Sequence, residues 1–141
     1  MSNETYTEFL RGLQLRHFKP IEITSYGSRT RGGVSNSLPP RALWGNLVPT
    51  LHVLDELREH LGKPITLLSI YRSPAYNAEI SGARYSQHLV NKAIDFSVKG
   101  MSPLTVYNRL VKMRGAGCFK GGVGRYPGFV HCDTRGRNAT W

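Results

Sequence analysis

The sequence predicts an α+β fold in which a small, mostly antiparallel sheet is flanked by helices. Segments with apolar residues at helical spacing alternate with short β-branched segments. Near its end the chain carries two more short apolar segments separated by a turn, which is typical of a hairpin. A chain of 141 residues suffices for one domain with its own apolar core. We therefore expect a single domain over residues 1–141.

The first part of the chain, residues 1–40, is expected to be an extension of a core at residues 41–141. Apolar residues at helical spacing predict a first helix over Glu4–Arg16, and Pro20 prevents its continuation. Ser25–Pro40 holds the densest cluster of Gly, Ser, Asn and Pro in the chain and is predicted to be a loop.

The middle of the chain predicts a helix, a strand and a second helix. Leucines recur on one stripe of Leu47–Leu61, which makes this the clearest helix. The β-branched, apolar segment Ile65–Tyr71 reads as a buried strand. Ser73 and Pro74 then form an N-cap followed by proline at the first helical position, which predicts a short helix to about Ile80.

The last third of the chain predicts three strands and one helix. Ala93–Val98 is a strand in which alternation places Asp95 and Ser97 on the same face. A second serine–proline cap begins a helix that ends at Gly115. The closing hairpin is expected to consist of two strands and their turn, in the order Cys118–Val123, Gly124–Pro127 and Gly128–Asp133.

The composition excludes several classes of protein. Lys and Arg number 19 against 9 Asp and Glu, a formal net charge of +10, which favours anionic partners such as nucleic acid, cell-wall polymer or an acidic membrane surface. Two cysteines exclude a disulfide framework and a zinc site made of cysteines alone, and leave open whether they bond to each other. No segment is long and apolar enough for a membrane span, and residues 1–10 do not resemble a secretory signal. We expect an intracellular product, a processed chain, or one exported by a route that the sequence does not show.

Two of the five histidines lie where they could bind a metal. His88 lies in a loop that leads into the strand carrying Asp95, and His131 lies on the last strand. Two imidazoles and one carboxylate form a suitable ligand set for zinc with an open position. The other three histidines lie in contexts typical of solvated or structural residues: His17, His52 and His60.

Several separated motifs in the sequence resemble those of a known protein family. They are Ser86-x-His88-x(6)-Asp95, His131-x-Asp133, Ser69–Pro74, Val123–Pro127 before Phe129-Val130-His131, and the final Arg137 and Trp141. In this order they resemble the zinc D-Ala-D-Ala carboxypeptidase/endopeptidase family, which shares its fold with the hedgehog signalling domain. The resemblance covers about Leu47 to Trp141 and is strongest to a bacterial and phage branch that acts on peptidoglycan.

The resemblance implies a set of roles for residues of the core. One zinc ion per chain would be held by His88, Asp95 and His131. Arg72 would bind the substrate and stabilise an oxyanion. Ser86 and Gln87 would shape the metal loop and line the cleft. Apart from the resemblance, Tyr126 in the predicted turn could donate a hydrogen bond to the tetrahedral intermediate and so bind substrate, or it could serve only in packing.

The sequence departs from the family pattern at two places. The glycine of the metal motif is Asn91 here, and asparagine is the residue that best replaces glycine at a positive φ. Many family members carry an acid or a histidine shortly before the last histidine, whereas Arg125–Val130 contains neither. Asp133 is the nearest candidate for a general base, and it could equally be the carboxylate that orients His131.

Two functions follow from these motifs. The first is a zinc peptidase that hydrolyses D-Ala-containing peptidoglycan stem peptides or cross-links and works as a monomer. The second is a catalytically inactive, zinc-containing module that binds the cell wall. Three basic residues near the N-terminal loop would suit a nucleic-acid binder: Arg29, Arg31 and Arg41. No zinc finger, RNP motif or recognition helix accompanies them, so we expect no nucleic-acid partner.

Overall fold

The computed structural model describes residues 4–141; residues 1–3 of the expected N-terminal extension lie outside the described part. The helices are α1 (Tyr6–Gly12), α2 (Pro20–Thr24), α3 (Val48–Leu61), α4 (Pro74–Glu79) and α5 (Pro103–Gly115). Single turns of 3₁₀ helix span Ser25–Ser28 and Gln87–Val90, and a longer one, Arg41–Leu47, leads into α3. The strands are β1 (Thr30–Arg31), β2 (Val34–Ser35), β3 (Ile65–Ser69), β4 (Ala93–Val98), β5 (Gly122–Arg125), β6 (Val130–Asp133) and β7 (Ala139–Thr140).

The main sheet has five strands in the order β3-β4-β6-β5-β7. All neighbours are antiparallel except β5 and β7, which are parallel. Strands β1 and β2 form a separate two-stranded hairpin. The α+β class with a small, mostly antiparallel sheet is therefore confirmed.

One apolar cluster joins the helices to the sheet. Of the leucines predicted for the stripe, Leu47, Leu51, Leu54 and Leu57 are buried, and Leu61 at the end of α3 is partly buried. Helix α5 packs on β4, β5 and β6. Residues from the N-terminal 40 positions, among them Tyr6, Phe18 and Ile23, belong to the same cluster. Burying a side chain of this size contributes roughly 1.5–3 kcal/mol, so these residues attach the N-terminal segment to the core. No helix among residues 4–141 is long and apolar enough to cross a membrane.

The N-terminal part differs from the sequence prediction in three respects. The first helix ends at Gly12 instead of Arg16, because Gln14 has a φ of 53° that a helix cannot accommodate. Pro20 does not only prevent continuation: it is the first residue of α2, where its missing N–H costs nothing. The predicted loop Ser25–Pro40 contains a 3₁₀ turn and the β1–β2 hairpin.

The hairpin near the C-terminus is also shifted relative to the prediction. Strand β5 begins at Gly122 and runs to Arg125, so the turn lies at Tyr126–Phe129 and is closed by a hydrogen bond from the Tyr126 N–H to the Phe129 carbonyl. Strand β7 was not predicted, because two residues carry no periodic signal. Strand β3 ends two residues early, at Ser69, where its pairing with β4 is irregular.

Candidate metal centre

The three predicted ligand residues meet at one point in the middle of the sheet. Asp95 on β4 and His131 on β6 are direct cross-strand partners. His88 reaches the same point from the 3₁₀ turn that precedes β4. All three residues are buried, and one potential ligand atom from each lies within 4.8 Å of the others. The fold therefore brings together the histidine–aspartate–histidine set that the motif spacing indicated.

The turn that carries His88 is fixed at both ends by local hydrogen bonds. The Ser86 hydroxyl accepts a hydrogen bond from the His88 N–H, which caps the turn. Asn91 ends it in the left-handed conformation, with a φ of 59°, and its side-chain amide donates to the Leu43 carbonyl. The explanation for asparagine at the position of the family glycine is thus confirmed: the position needs a positive φ.

The ring of His88 offers an electron pair to the centre. Its Nδ1 donates to the carbonyl oxygen of Ile70, which leaves Nε2 without a proton in the neutral ring. Burial lowers the pKa of His88 and so favours that neutral form. Nε2 lies 3.1 Å from Oδ2 of Asp95, and among the described residues it has no hydrogen-bond partner.

This unpartnered nitrogen is the observation that fits a metal ion. Two electron-pair donors, an imidazole nitrogen and a carboxylate oxygen, face each other in a buried setting where an unsatisfied polar atom is costly. A cation bound between them would turn this contact into an attraction. The donor chemistry of His88 and Asp95, with His131 beside them, therefore suits a divalent metal.

His131 is held between two carboxylates. Its Nδ1 lies 2.9 Å from Oδ1 of Asp95, and its Nε2 lies 2.7 Å from Oδ2 of Asp133. Burial lowers the pKa of His131, but the hydrogen bonds to Asp133 and Asp95 outweigh it, and the net shift is upward. With Nε2–H donated to Asp133, Nδ1 is the nitrogen that faces the centre.

The carboxylate of Asp133 is fully buried and surrounded by donors. Oδ1 accepts from the N–H of Gly122 at 2.9 Å, and from the backbone N–H and Nε of Arg135. Oδ2 accepts from Nη2 of Arg135 and from His131, both at 2.7 Å. Burial raises the pKa of Asp133, but the bonds from His131, Arg135 and Gly122 outweigh it and lower the pKa well below its usual range. These five donors leave this carboxylate little capacity to accept a further proton.

Arg72 lies beside the centre and is held by three side chains. Its Nε donates to the Ser69 hydroxyl at 3.2 Å and its Nη1 to Oδ1 of Asn77 at 3.3 Å. Its Nη2 lies 3.5 Å from Oδ2 of Asp95, within ion-pair range. The guanidinium is mostly buried, so its orientation is set before any ligand arrives.

The backbone on both sides of Arg72 is fixed by Asn36, which lies outside the predicted core. Its side-chain amide donates to the Tyr71 carbonyl at 2.8 Å, and its Oδ1 accepts from the Ser73 N–H at 2.9 Å. Asn36 could not be recognised from the sequence, because it lies in a loop rich in Gly, Ser, Asn and Pro, where asparagine is a common residue.

The centre opens into a cleft of about 550 Å³. Ser86, Gln87 and Tyr126, the predicted cleft residues, all line it. Further lining residues, not anticipated from the sequence as cleft residues, are Tyr85, Phe129, Arg135 and Trp141. Both cysteines are free thiols: Cys118 is exposed and Cys132 is buried in the apolar cluster.

The sequence matches the Peptidase M15 family over residues 16–133, more than half of the chain. The chain belongs to the Peptidase M15 family. The match confirms the resemblance that the motifs indicated. It extends N-terminally beyond Leu47, where that resemblance began, and includes Asn36, which fixes the backbone on either side of Arg72.

Curated relatives of this M15 chain include the peptidoglycan L,D-endopeptidase MepK of Escherichia coli K12 and the MepK of Shigella flexneri. Each is 37% identical over 79 residues, which cover 51% of this chain and 41% of the relative. The matched stretch thus spans about two fifths of the length of these relatives.

Proposed function

We propose that the protein is a zinc-dependent peptidase that hydrolyses peptide bonds in peptidoglycan stem peptides or their cross-links. The observation that carries the proposal is the buried His88, Asp95 and His131 set, with its unpartnered nitrogen, at the base of an open cleft in an M15 chain. The similarity to MepK supports peptidoglycan as the substrate. The net charge of +10 favours adsorption to an anionic cell wall.

One zinc ion would be held by Nε2 of His88, the carboxylate of Asp95 and Nδ1 of His131. When bound, zinc lowers the pKa of a coordinated water to about 7 and polarises a carbonyl group. All three proposed ligands come from one chain, so the site needs no residue from a second copy, and we propose that the protein acts as a monomer.

Asp133 orients His131 in this proposal. A histidine that binds a metal through one nitrogen is positioned by the acceptor that holds its other N–H, and Asp133 is that acceptor here. The alternative role, general base, is the less well supported of the two, since the Asp133 carboxylate already accepts from Gly122, Arg135 and His131 and lies behind the ring relative to the cleft lining.

Arg72 supplies positive charge next to the reacting carbonyl. Because Ser69 and Asn77 hold its guanidinium, little reorganisation is needed when negative charge develops on the substrate oxygen or when a substrate carboxylate binds. Tyr126 adds a second donor: its hydroxyl oxygen accepts from Nε1 of Trp141 at 2.8 Å, so its own O–H remains available to the cleft.

The similarity to an L,D-endopeptidase favours cleavage within a peptide or cross-link over trimming of a terminal D-Ala. One observation favours the second candidate, an inactive wall-binding module: residues 125–130 contain no acid and no histidine, and Asp133 is already saturated with hydrogen bonds. A peptidase and an inactive binding module would share the metal site, but only the peptidase would hydrolyse peptidoglycan peptides.

The test is digestion of purified muropeptides by the zinc-loaded protein, read by mass spectrometry. We expect a defined cleavage that a chelator abolishes and added zinc restores, and the mass of the products identifies the scissile bond. The same digestion with Arg72→Ala controls for a contaminating hydrolase. Absence of cleavage by protein that holds one zinc ion per chain would favour the binding module.

A further inference from the structure

The last eight residues, 134–141, lie beyond the family match, yet they contribute one wall of the cleft. Strand β7 runs parallel to β5 and delivers Trp141 to the metal centre. The Trp141 N–H donates to the Val123 carbonyl at 3.1 Å, and its carbonyl accepts from the Arg125 N–H at 2.9 Å. Two backbone hydrogen bonds to β5 thus fix where the indole begins.

The indole occupies a space that only a glycine leaves free. A Cβ at Gly124, the cross-strand partner of His131, would lie within 3.0 Å of three atoms of the Trp141 ring. The backbone at Gly124 has an ordinary conformation, so glycine is required here for space and not for a positive φ. The centroids of the Trp141 and His131 rings are 5.0 Å apart as a result.

The ring is fixed but open to solvent. Nε1 of Trp141 donates to the Tyr126 hydroxyl, the Arg135 guanidinium lies 5.4 Å from the Trp141 ring, and Tyr126 stacks on Phe129 at 4.5 Å. Even so, Trp141 is 45% exposed and Tyr126 is 36% exposed. Aromatic side chains held in place at the wall of a cleft bind with a small loss of conformational entropy.

We propose that Trp141 and Tyr126 form an aromatic subsite that packs against the peptide residue next to the scissile bond, on the His131 side of the centre. This rests on the proposed function. An extended peptide advances about 3.3–3.6 Å per residue, so a ring 5.0 Å from a metal-ligand ring contacts the flanking residue of the peptide and not a distant sugar. The subsite suits an uncharged residue with a small apolar side chain, which presents its methyl group or peptide plane to the indole.

The test measures binding separately from turnover. The affinity of a sugar-free stem peptide for the chelator-treated protein is measured by calorimetry, for wild type and for Trp141→Ala, Trp141→Phe and Gly124→Ala. We expect Trp141→Ala and Gly124→Ala each to weaken binding about tenfold or more, Trp141→Phe to weaken it less, and zinc stoichiometry to stay at one. Ile21→Ala, which removes an exposed apolar side chain of α2, is the matched control and should bind as wild type does.

A double variant tests the mechanism of the Gly124 effect. If the methyl group acts only by displacing the indole, adding Gly124→Ala to Trp141→Ala should cause no further loss. Any of three results would overturn the subsite. Trp141→Ala could bind the peptide as tightly as wild type does, the loss of affinity could appear only with a disaccharide-bearing muropeptide, or wild type could fail to bind the peptide. Turnover of muropeptides by the zinc-loaded wild type judges the proposed function independently, so the two failures are distinguishable.

Discussion

Two regions of the molecule combine histidines with carboxylates, and they do so with opposite consequences. One is the buried centre of His88, Asp95 and His131. The other is a surface cluster where the segment after α1 meets α3: Arg16, His17, Glu56, Glu59 and His60. In the surface cluster Nε2 of His60 contacts Glu56 at 2.8 Å, and His17 contacts Glu59.

The two regions differ in how deeply the side chains are buried and in whether each nitrogen and oxygen atom has a hydrogen-bond partner. The side chains of the surface cluster are 31–54% exposed, each has a partner of opposite charge or a hydrogen bond, and water screens what remains. At the buried centre, Nε2 of His88 lies 3.1 Å from Oδ2 of Asp95 and has no hydrogen-bond partner among residues 4–141. Histidines and carboxylates close together therefore do not by themselves indicate a metal site. A buried set of such groups in which one nitrogen has no hydrogen-bond partner does indicate one.

The largest effect is expected when a histidine of the buried centre is removed and compared with a histidine of the surface cluster. His88→Ala should abolish stoichiometric zinc, because it removes a buried nitrogen of the proposed ligand set that has no hydrogen-bond partner in the described part of the chain. His60→Ala, in the surface cluster, should leave one zinc per chain. Metal analysis of both variants after dialysis provides the measurement. Retention of one tightly held ion in His88→Ala would show that the ligand assignment is wrong.

The next effect concerns Arg72, whose charge is held beside the centre. Arg72→Ala should keep zinc and fold and reduce kcat about 10²–10³-fold, the usual loss when one oxyanion donor is removed. Arg109→Ala, which removes an exposed arginine of α5, is the matched control. Steady-state kinetics on a muropeptide measure both variants. Unchanged kcat and KM in Arg72→Ala would show that Arg72 has no role in the reaction.

A smaller effect is expected at Asp133, and its pattern separates two roles. If this carboxylate orients His131, Asp133→Asn should weaken zinc about 10–100-fold, and added zinc should restore part of the activity. If it is the general base, zinc affinity should persist while kcat falls sharply. Titrating the variant with zinc while following turnover distinguishes the roles, and full activity without added zinc would eliminate both.

The smallest effect is expected in the surface cluster. The hydrogen bond from His17 and the charge of Arg16 lower the pKa of Glu59. A carboxyl group with a lowered pKa in the folded state stabilises the protein above its unfolded pKa of about 4.3 and loses this contribution as pH falls. Glu59→Gln should therefore lower the thermal midpoint by a few degrees at most at pH 7 and by less near pH 3. An equal loss at both pH values would contradict an electrostatic origin.

The grouping of His88, Asp95 and His131 could be predicted from the sequence, because these residues lie on or beside elements with strong local signals. The strand that carries Asp95 was predicted with its observed bounds, and the motif spacing placed His88 in the turn before it. Asn91 was predictable for the same reason, since a positive φ is a local property.

The surroundings of the site could not be predicted, because they depend on contacts between distant segments. Asn36 acts on Tyr71 and Ser73 from a loop about 35 residues earlier, and no periodicity marks it. The position of Trp141 depends on a two-residue strand and on the space at Gly124, which the sequence shows only as one glycine among 15.

X-ray absorption at the zinc edge shows which atoms surround the metal, and so tests whether the buried nitrogen and oxygen atoms of the centre hold zinc. Protein loaded with one equivalent should show only nitrogen and oxygen neighbours, with zinc–nitrogen distances of about 2.0–2.1 Å. This follows because His88, Asp95 and His131 provide the ligands and both cysteines lie outside the group. A sulfur neighbour near 2.3 Å, or failure to hold one equivalent of zinc, would contradict the account.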